Sequence, residues 1–538
     1  VKTTSMLRYL RVTNFANLRD VLFDRRTTYP AATVVYRPTI DPEDKPPILH
    51  YAPLGIDQPS GVQNRPWALT INEGEIQTLS PYEAADGDAL LWKLALWGTP
   101  LDRRAIERIE VLFPGSLSEV CSRSHWAFCE GPQLRSGEEY RARGRLVDLE
   151  YVPELEGQRR LDTDLMRESG RRFSVPTEAL DNIPDDQRWI RKRGGKAGLA
   201  LTPGPHLVLS PSWMSYVAFS DQDFVVPPRT MGIAASREDA DHLRALCVYL
   251  SSSLVNYWVF FHAPQWGVFR QARLVSLDTV RSLPAPELSA QQVKRLASLH
   301  RDLAADEAQR ISALRAELAK SPVPELPFRP ATEAKGQSVR EKPRSLSAKD
   351  RERLERGVAE LHAALQSNID DAVHEVFNVP KDIVTLVTDF MRTRLLLDSP
   401  PSANTVTRRP SKADLLVYAR TLRDELDGFA MGTVHHRVEC TYSDELIECT
   451  VTMTDALNPI GIGRDDVRPG DRMFDKGCAT VVLATGERVS QWVYVQRGLR
   501  VFDGPRAHLY KRARLIDWTR TQALNDAGDI IGEAIEAE

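Results

Sequence analysis

The clearest chemistry in this chain sits in one short run, Arg188-Trp189-Ile190-Arg191-Lys192-Arg193-Gly194-Gly195-Lys196. Arg188, Arg191, Lys192, Arg193 and Lys196 are cationic and no acid interrupts them. The two glycines permit close backbone approach, and Trp189 offers an aromatic face. That composition suits a loop contacting nucleic-acid phosphates. It also suits a solvated basic loop, and the residues alone leave both open. Arg171, Arg172, Arg270 and Arg273 are further candidates. An arginine can fork onto guanine O6 and N7, but it contacts phosphate equally well. Cys121, His125 and Cys129 have the spacing of one helical face. A structural zinc normally takes four ligands, commonly in closer cysteine pairs, so ordinary buried thiols are the expectation. His435, His436 and Cys440 fall in a predicted strand, where neighbouring histidines point to opposite faces and a shared ligand role is disfavoured. No Ser/His/Asp arrangement or phosphate-binding loop stands out. Scattered acids still leave room for a nuclease.

The elements that must position these residues belong to several domains, as 538 residues imply. A net charge of −4 excludes a polycation, so nucleic-acid binding would need a local basic face. Six cysteines without paired spacing point to reduced thiols and a cytoplasmic location. The apolar window Leu254–Phe261 is far short of the roughly 20 residues of a membrane span. The opening VKTTSMLRYL has no apolar core of signal-peptide length. No membrane attachment is expected.

Thr13 or Asn14 can cap a short helix bearing Phe15, Leu18, Val21 and Leu22. Ala31–Tyr36 reads as a strand. Trp92, Leu96 and Trp97 read as helix core. Leu207–Leu209 and Phe224–Val226 are strand-like runs between turn residues. Residues 288–320 form a charged helix. Pro322, Pro324, Pro327, Pro330 and Pro343 make 321–346 a semi-extended linker, where protease should cut first. Ser347 can cap a helix carrying Leu354, Val358, Leu361 and Leu365, continued by Asp370–Phe377. A helix from about Lys412 to Leu426 precedes two strands. In the second, Ile447, Cys449, Val451 and Met453 share one face, and Glu448, Thr450 and Thr452 the other.

The stretch from Leu243 to Pro286 reads LRALCVYLSSSLVNYWVFFHAPQWGVFRQARLVSLDTVRSLPAP. An apolar helix ends in aromatics, then come Gln265-Trp266-Gly267, a basic segment, and Leu283-Pro284-Ala285-Pro286. This order resembles the end of the target-recognition region of large N6-adenine DNA methyltransferases, the kind found in type IIG restriction–modification and related phage-defence enzymes. Asn14 to Arg19, Leu22-Phe23 and Pro30-Ala31-Ala32 are similar to the last part of that family's catalytic domain. Gly87-Asp88-Ala89-Leu90-Leu91-Trp92-Lys93-Leu94-Ala95-Leu96-Trp97-Gly98-Thr99-Pro100 looks like its passage into the recognition region. Asp370–Phe377, Gln491–Tyr494, Leu499–Gly504 and Trp518–Leu524 resemble later segments. Trp266 itself reads as core.

The resemblance implies a multidomain α+β chain. Residues 1–130 would be the end of a methyltransferase-type α/β domain, and 131–287 a mixed α/β DNA target-recognition domain. Residues 288–400 would be a helical spacer containing the linker, and 401–538 a small C-terminal α+β module. The family's catalytic motifs are missing. An amino-methyltransferase needs a glycine turn for S-adenosylmethionine and an Asn/Asp-Pro-Pro-aromatic loop for the flipped adenine. The nearest strings, Asn458-Pro459-Ile460-Gly461 and Val226-Pro227-Pro228-Arg229, lack the required residues, and Gly461-Ile462-Gly463 reads as a turn. The chain is therefore expected to bind double-stranded DNA with no cofactor of its own. A catalytic methyltransferase subunit, or a missing N-terminal domain, would carry S-adenosylmethionine. Other defence proteins are further candidate partners. The rival readings are a non-methylating DNA-binding scaffold and a cryptic nuclease or hydrolase in 401–538.

Overall fold

The computed structural model describes residues 7–18, 29–38, 46–53, 71–72, 75–192, 196–269, 273–319, 348–398, 408–443, 446–455, 466–470, 486–488, 493–497 and 499–537. The linker 321–346, Ser347, Arg193, Arg270, Gln491-Trp492 and the Asn458–Gly463 strings lie outside these residues. The chain is mixed α+β with several small sheets. It divides into two compact units. The first comprises Val1–Leu112, Tyr257–Leu274 and Pro380–Glu538, and the second Phe113–Asn256 and Val275–Val379.

In the first unit, the β-branched run Thr33-Val34-Val35 builds the strand Ala32–Pro38. It is the outer member of a sheet ordered Ala32–Pro38, Leu7–Asn14, Ile48–Tyr51, Ile76–Leu79. The two central strands are parallel and the flanking pairs antiparallel. Thr13 and Asn14 end the strand Leu7–Asn14. They stand opposite Thr33 and Ala32 in the ladder, which holds them extended. The 3-10 turn Ala16–Leu18 follows, its Ala16 N–H donating to Asn14 Oδ1 at 3.0 Å, and Val21 and Leu22 of the expected helix lie outside the described residues. Val12, Ile48 and Leu79 pack against Leu91 and Ala95 of the helix Ala89–Trp97. That cluster draws on three of the four strands, the two central ones and Ile76–Leu79. Ala32–Pro38 is exposed along its length, Val35 by 50% and Tyr36 by 55%.

Two stretches singled out in the sequence meet in this unit. Trp97 and Trp266 are buried. Lys93 Nζ donates to the carbonyl oxygens of Ala263, at 3.0 Å, and Trp266. Trp97 Nε1 donates to Gly267 O at 3.1 Å. The lysine thus satisfies carbonyls just beyond the helix Ser253–His262, a role that suits a cation. Burial pulls its pKa down to about 7. Gly267 has φ 74°, and a Cβ there would stand 2.9 Å from the Phe260 ring and 3.1 Å from Trp97 Nε1.

The same unit contains a five-stranded sheet ordered Asp466–Pro469, Val434–Tyr442, Leu446–Asp455, Arg506–Arg512, Leu499–Asp503. Ile447, Cys449 and Val451 bury with Leu415, Tyr418 and Leu422 of the helix Lys412–Ala430 and with Ala523 and Ala527 of Arg520–Ala537. Met453 shares their parity yet is 48% exposed, because the helical layer does not reach that end of the strand. Ser411 and Asp414 form a reciprocal capping box that fixes where Lys412–Ala430 begins.

The second unit is built on an antiparallel sheet ordered Val217–Ser220, His206–Leu209, Met231–Ala234, Ala127–Glu130, whose first three strands are wholly buried. The helix Ala240–Leu250 packs on it, and Ala290–Ala319 and Ala348–Val376 pack in turn on that helix. Glu307, on Ala290–Ala319, is fully buried. Its carboxylate accepts the backbone N–H groups of Arg172 at 2.8 Å and Phe173 at 3.3 Å, and lies 3.0 Å from His362 Nε2. Two short ribbons complete the unit, Leu149–Tyr151 with Trp189–Arg191 and Arg159–Leu161 with Leu180–Asn182. Among the described residues, no helix is long and apolar enough to cross a membrane.

Candidate nucleic-acid interface

The basic run contributes the strand Trp189–Arg191. Ile190 is fully buried in a small core with Val152, Leu155, Ile183 and Val225. Strand alternation therefore turns Trp189 and Arg191 to the other side. Trp189 is half-buried. Its ring meets Tyr151 edge-on at 5.2 Å and 64°, and it lies so close to Gly137 that a Cβ there would come 2.4 Å from the indole nitrogen. Glycine at 137 is what admits the indole.

Two acids, one adjacent in sequence and one remote, change the charge of this run. Arg188 donates to Asp185 Oδ1 at 2.6 Å, and its side chain is 11% exposed. Lys196 Nζ pairs with Glu150 at 2.7 Å. Acidic and basic residues balance over 130–196 as a whole. Arg191 and Lys192 are exposed and have no ion pair among the described residues. Among the described residues of the run, they keep their charge for a partner.

The remaining candidates do not form one group. Arg171 is half-buried, with Nη1 3.4 Å from Ser174 Oγ. Arg172 turns inward: its Nε is buried, Glu307 and Asp370 act on it electrostatically, and burial lowers its pKa. Arg172 is half-buried, and these carboxylates compete with any phosphate for its charge. Arg273 is exposed and belongs to the first unit, whereas 171–196 belong to the second.

Three arginines escaped sequence reading. Arg135 Nη2 donates to Gln133 Oε1, Arg159 Nη2 to Gln222 Oε1 at 2.9 Å, and Arg160 Nη1 to Gln187 Oε1 at 2.6 Å. Two of these glutamines are remote in sequence from their arginines. Only the Gln133–Arg135 spacing gave a local signal.

The cysteine–histidine groups resolve differently from expectation. Cys121 is buried in the helix Leu117–Arg123, the chain turns at His125 with φ 57°, and Cys129 lies in the strand Ala127–Glu130. They share no helical face. Burial pushes the Cys121 thiol up to about 12. His435 and His436 both lean on Asp427, at 3.9 and 2.8 Å, because its two oxygens reach both rings. No group of three or more His, Cys, Asp or Glu residues able to hold a metal ion occurs among the described residues. On the sheet face away from the helices, Glu448 Oε1 accepts from Tyr510 at 2.8 Å and lies 2.9 Å from His508 Nδ1. A scan of protein-family models gave no match to this chain. A search of curated proteins gave none either.

Proposed function

We propose that this chain is the DNA sequence-recognition part of an adenine-N6 DNA methyltransferase system of the restriction–modification or phage-defence kind. The observation that carries the reading is the interlock of the Gly87–Pro100 and Gln265–Gly267 strings through Lys93, Trp97 and the carbonyls of Ala263, Trp266 and Gly267. Two strings that resemble one family separately are here bonded to one another, which favours a shared architecture over coincidence. Residues 1–130 would then be the end of a methyltransferase-type domain and 131–287 the DNA-reading part. The exposed Arg191 and Lys192 on a short ribbon support contact with phosphates. S-adenosylmethionine and the adenine-holding loop would be supplied by a catalytic partner or by a preceding domain.

Tritiated methyl transfer to duplex DNA, with and without a catalytic methyltransferase subunit, tests this. The chain alone is expected to bind DNA, to show no heat of binding with S-adenosylmethionine, and to leave adenine unmethylated. Adding the catalytic subunit should produce site-specific methylation. Robust methylation by the pure chain would overturn the division of labour. DNA binding that no methyltransferase subunit converts into methylation would favour a scaffold instead.

A further inference from the structure

Several cations on the second unit already have carboxylates. Arg143 pairs with Glu139, Arg145 with Asp148, Arg167 with Asp164, Arg188 with Asp185 and Lys196 with Glu150. A phosphate approaching any of these must compete with an existing attraction. Arg135 and Arg160 are held by carboxamide oxygens instead. An amide oxygen fixes the direction of a guanidinium as a carboxylate does, but leaves its full charge. In the ladder Arg160 stands opposite Asp181.

Arg135 is bonded to the strand that carries Trp189, and Arg160 to the 3-10 turn just before it. The Arg135 N–H donates to Trp189 O at 2.7 Å, and Gln187 lies two residues before Trp189. Arg191 follows on the same side as Trp189. Arg159 differs. It shares the parity of buried Leu161, so it faces away from Arg160.

We propose that Arg135, Arg160 and Arg191 form one row of phosphate contacts along this ribbon, with Gln133 and Gln187 orienting the first two guanidiniums toward the backbone of duplex DNA. This rests on the reading of the second unit as the DNA-binding part. It shifts the contact surface from the basic run alone to a set drawn from three separate segments. Trp189 is the spacer between them, not a base-stacking group.

Changing the amide to a carboxylate tests the row without removing an arginine. Gln133→Glu and Gln187→Glu would each neutralise one cation in place. Gln222→Glu makes the same change beside Arg159 and serves as the control. The full chain is titrated with a fluorescein-labelled duplex of random sequence across a salt series. Each of the first two variants is expected to reduce the log–log salt slope by about one, and to weaken binding about eightfold near 0.1 M salt. Gln222→Glu should leave both unchanged. Arg135→Gln and Arg160→Gln should reproduce the losses, and they replace the glutamate variants if melting curves show those misfolded. If the wild-type chain fails to bind the duplex, the proposed function falls. If it binds with normal salt dependence and Gln133→Glu and Gln187→Glu match it, or all three glutamate variants lose equally, the row is overturned while the proposed function stands.

Discussion

Gly267 shows how one residue can be required by two constraints at once. Its backbone is left-handed, and the space where a Cβ would go is filled by the Phe260 ring and the Trp97 indole. Gly267→Ala should therefore cost roughly 2–4 kcal/mol, combining left-handed strain with overpacking. Chemical denaturation followed by tryptophan fluorescence would read it, and a loss under 1 kcal/mol would mean that the packing yields easily. Titration gives a second residue-scale prediction. Burial pulls His206 and His300 down to about 4, against an unfolded value of 6.5. Both are neutral in the folded protein, so the unfolded chain binds more protons as pH falls. Their stabilising contribution is complete above pH 6.5 and is lost between 6.5 and about 4, at most roughly 3 kcal/mol for each. His300→Gln keeps a donor for Phe173 O, which lies 3.0 Å from His300 Nε2. It should flatten the acid limb of a melting-temperature profile, and an unchanged limb would assign acid sensitivity to other groups. The burial of Trp97 and Trp266 was legible, because large aromatics at helix spacing are usually core. The inward turn of Arg172 was not, because its cause is Glu307, far along the chain.

At the scale of elements, the long helices were readable and the short strands only partly so. Ala290–Ala319 and Lys412–Ala430 carry many turns of consistent periodicity, and the second also has a capping box. The segment Leu7–Asn14 went unread because its strand conformation comes from pairing with Ala32–Pro38, not from its own pattern. The Lys196 ion pair of the basic run was hidden for the same reason. Glu150 reaches Lys196 only once the short ribbon has formed, whereas the Asp185–Arg188 pair is local. Glu307 is the polar tie between helix and sheet in the second unit. Glu307→Ala would leave two backbone donors without their acceptor in a buried site, at a cost of about 3–5 kcal/mol. Hydrogen exchange should then accelerate at the amides of Arg172 and Phe173. Unchanged protection there would show that neighbouring contacts hold the segment without the carboxylate.

The whole molecule is assembled from interleaved stretches of chain. Ala290–Ala319 and Ala348–Val376 flank the Pro-rich segment, yet they belong to one compact unit and pack together. A protease site engineered within 321–346 should therefore yield two pieces that co-elute under native conditions and part only in denaturant. Separation on a native column after cleavage would contradict the packing of these helices.

Interleaving also sets a schedule for synthesis. The second unit has all its residues once Val379 has emerged, whereas the first waits for the final stretch Pro380–Glu538. At typical translation speeds those roughly 160 residues take on the order of 8–30 s. Throughout that interval Ala32–Pro38 is an uncovered edge, with Val34, Val35 and Tyr36 outward even in the finished fold. Such an edge can pair with a neighbouring chain on the same polysome. Slow codons after position 379 should lengthen this exposure without altering a single amino acid, and so lower the yield of folded protein.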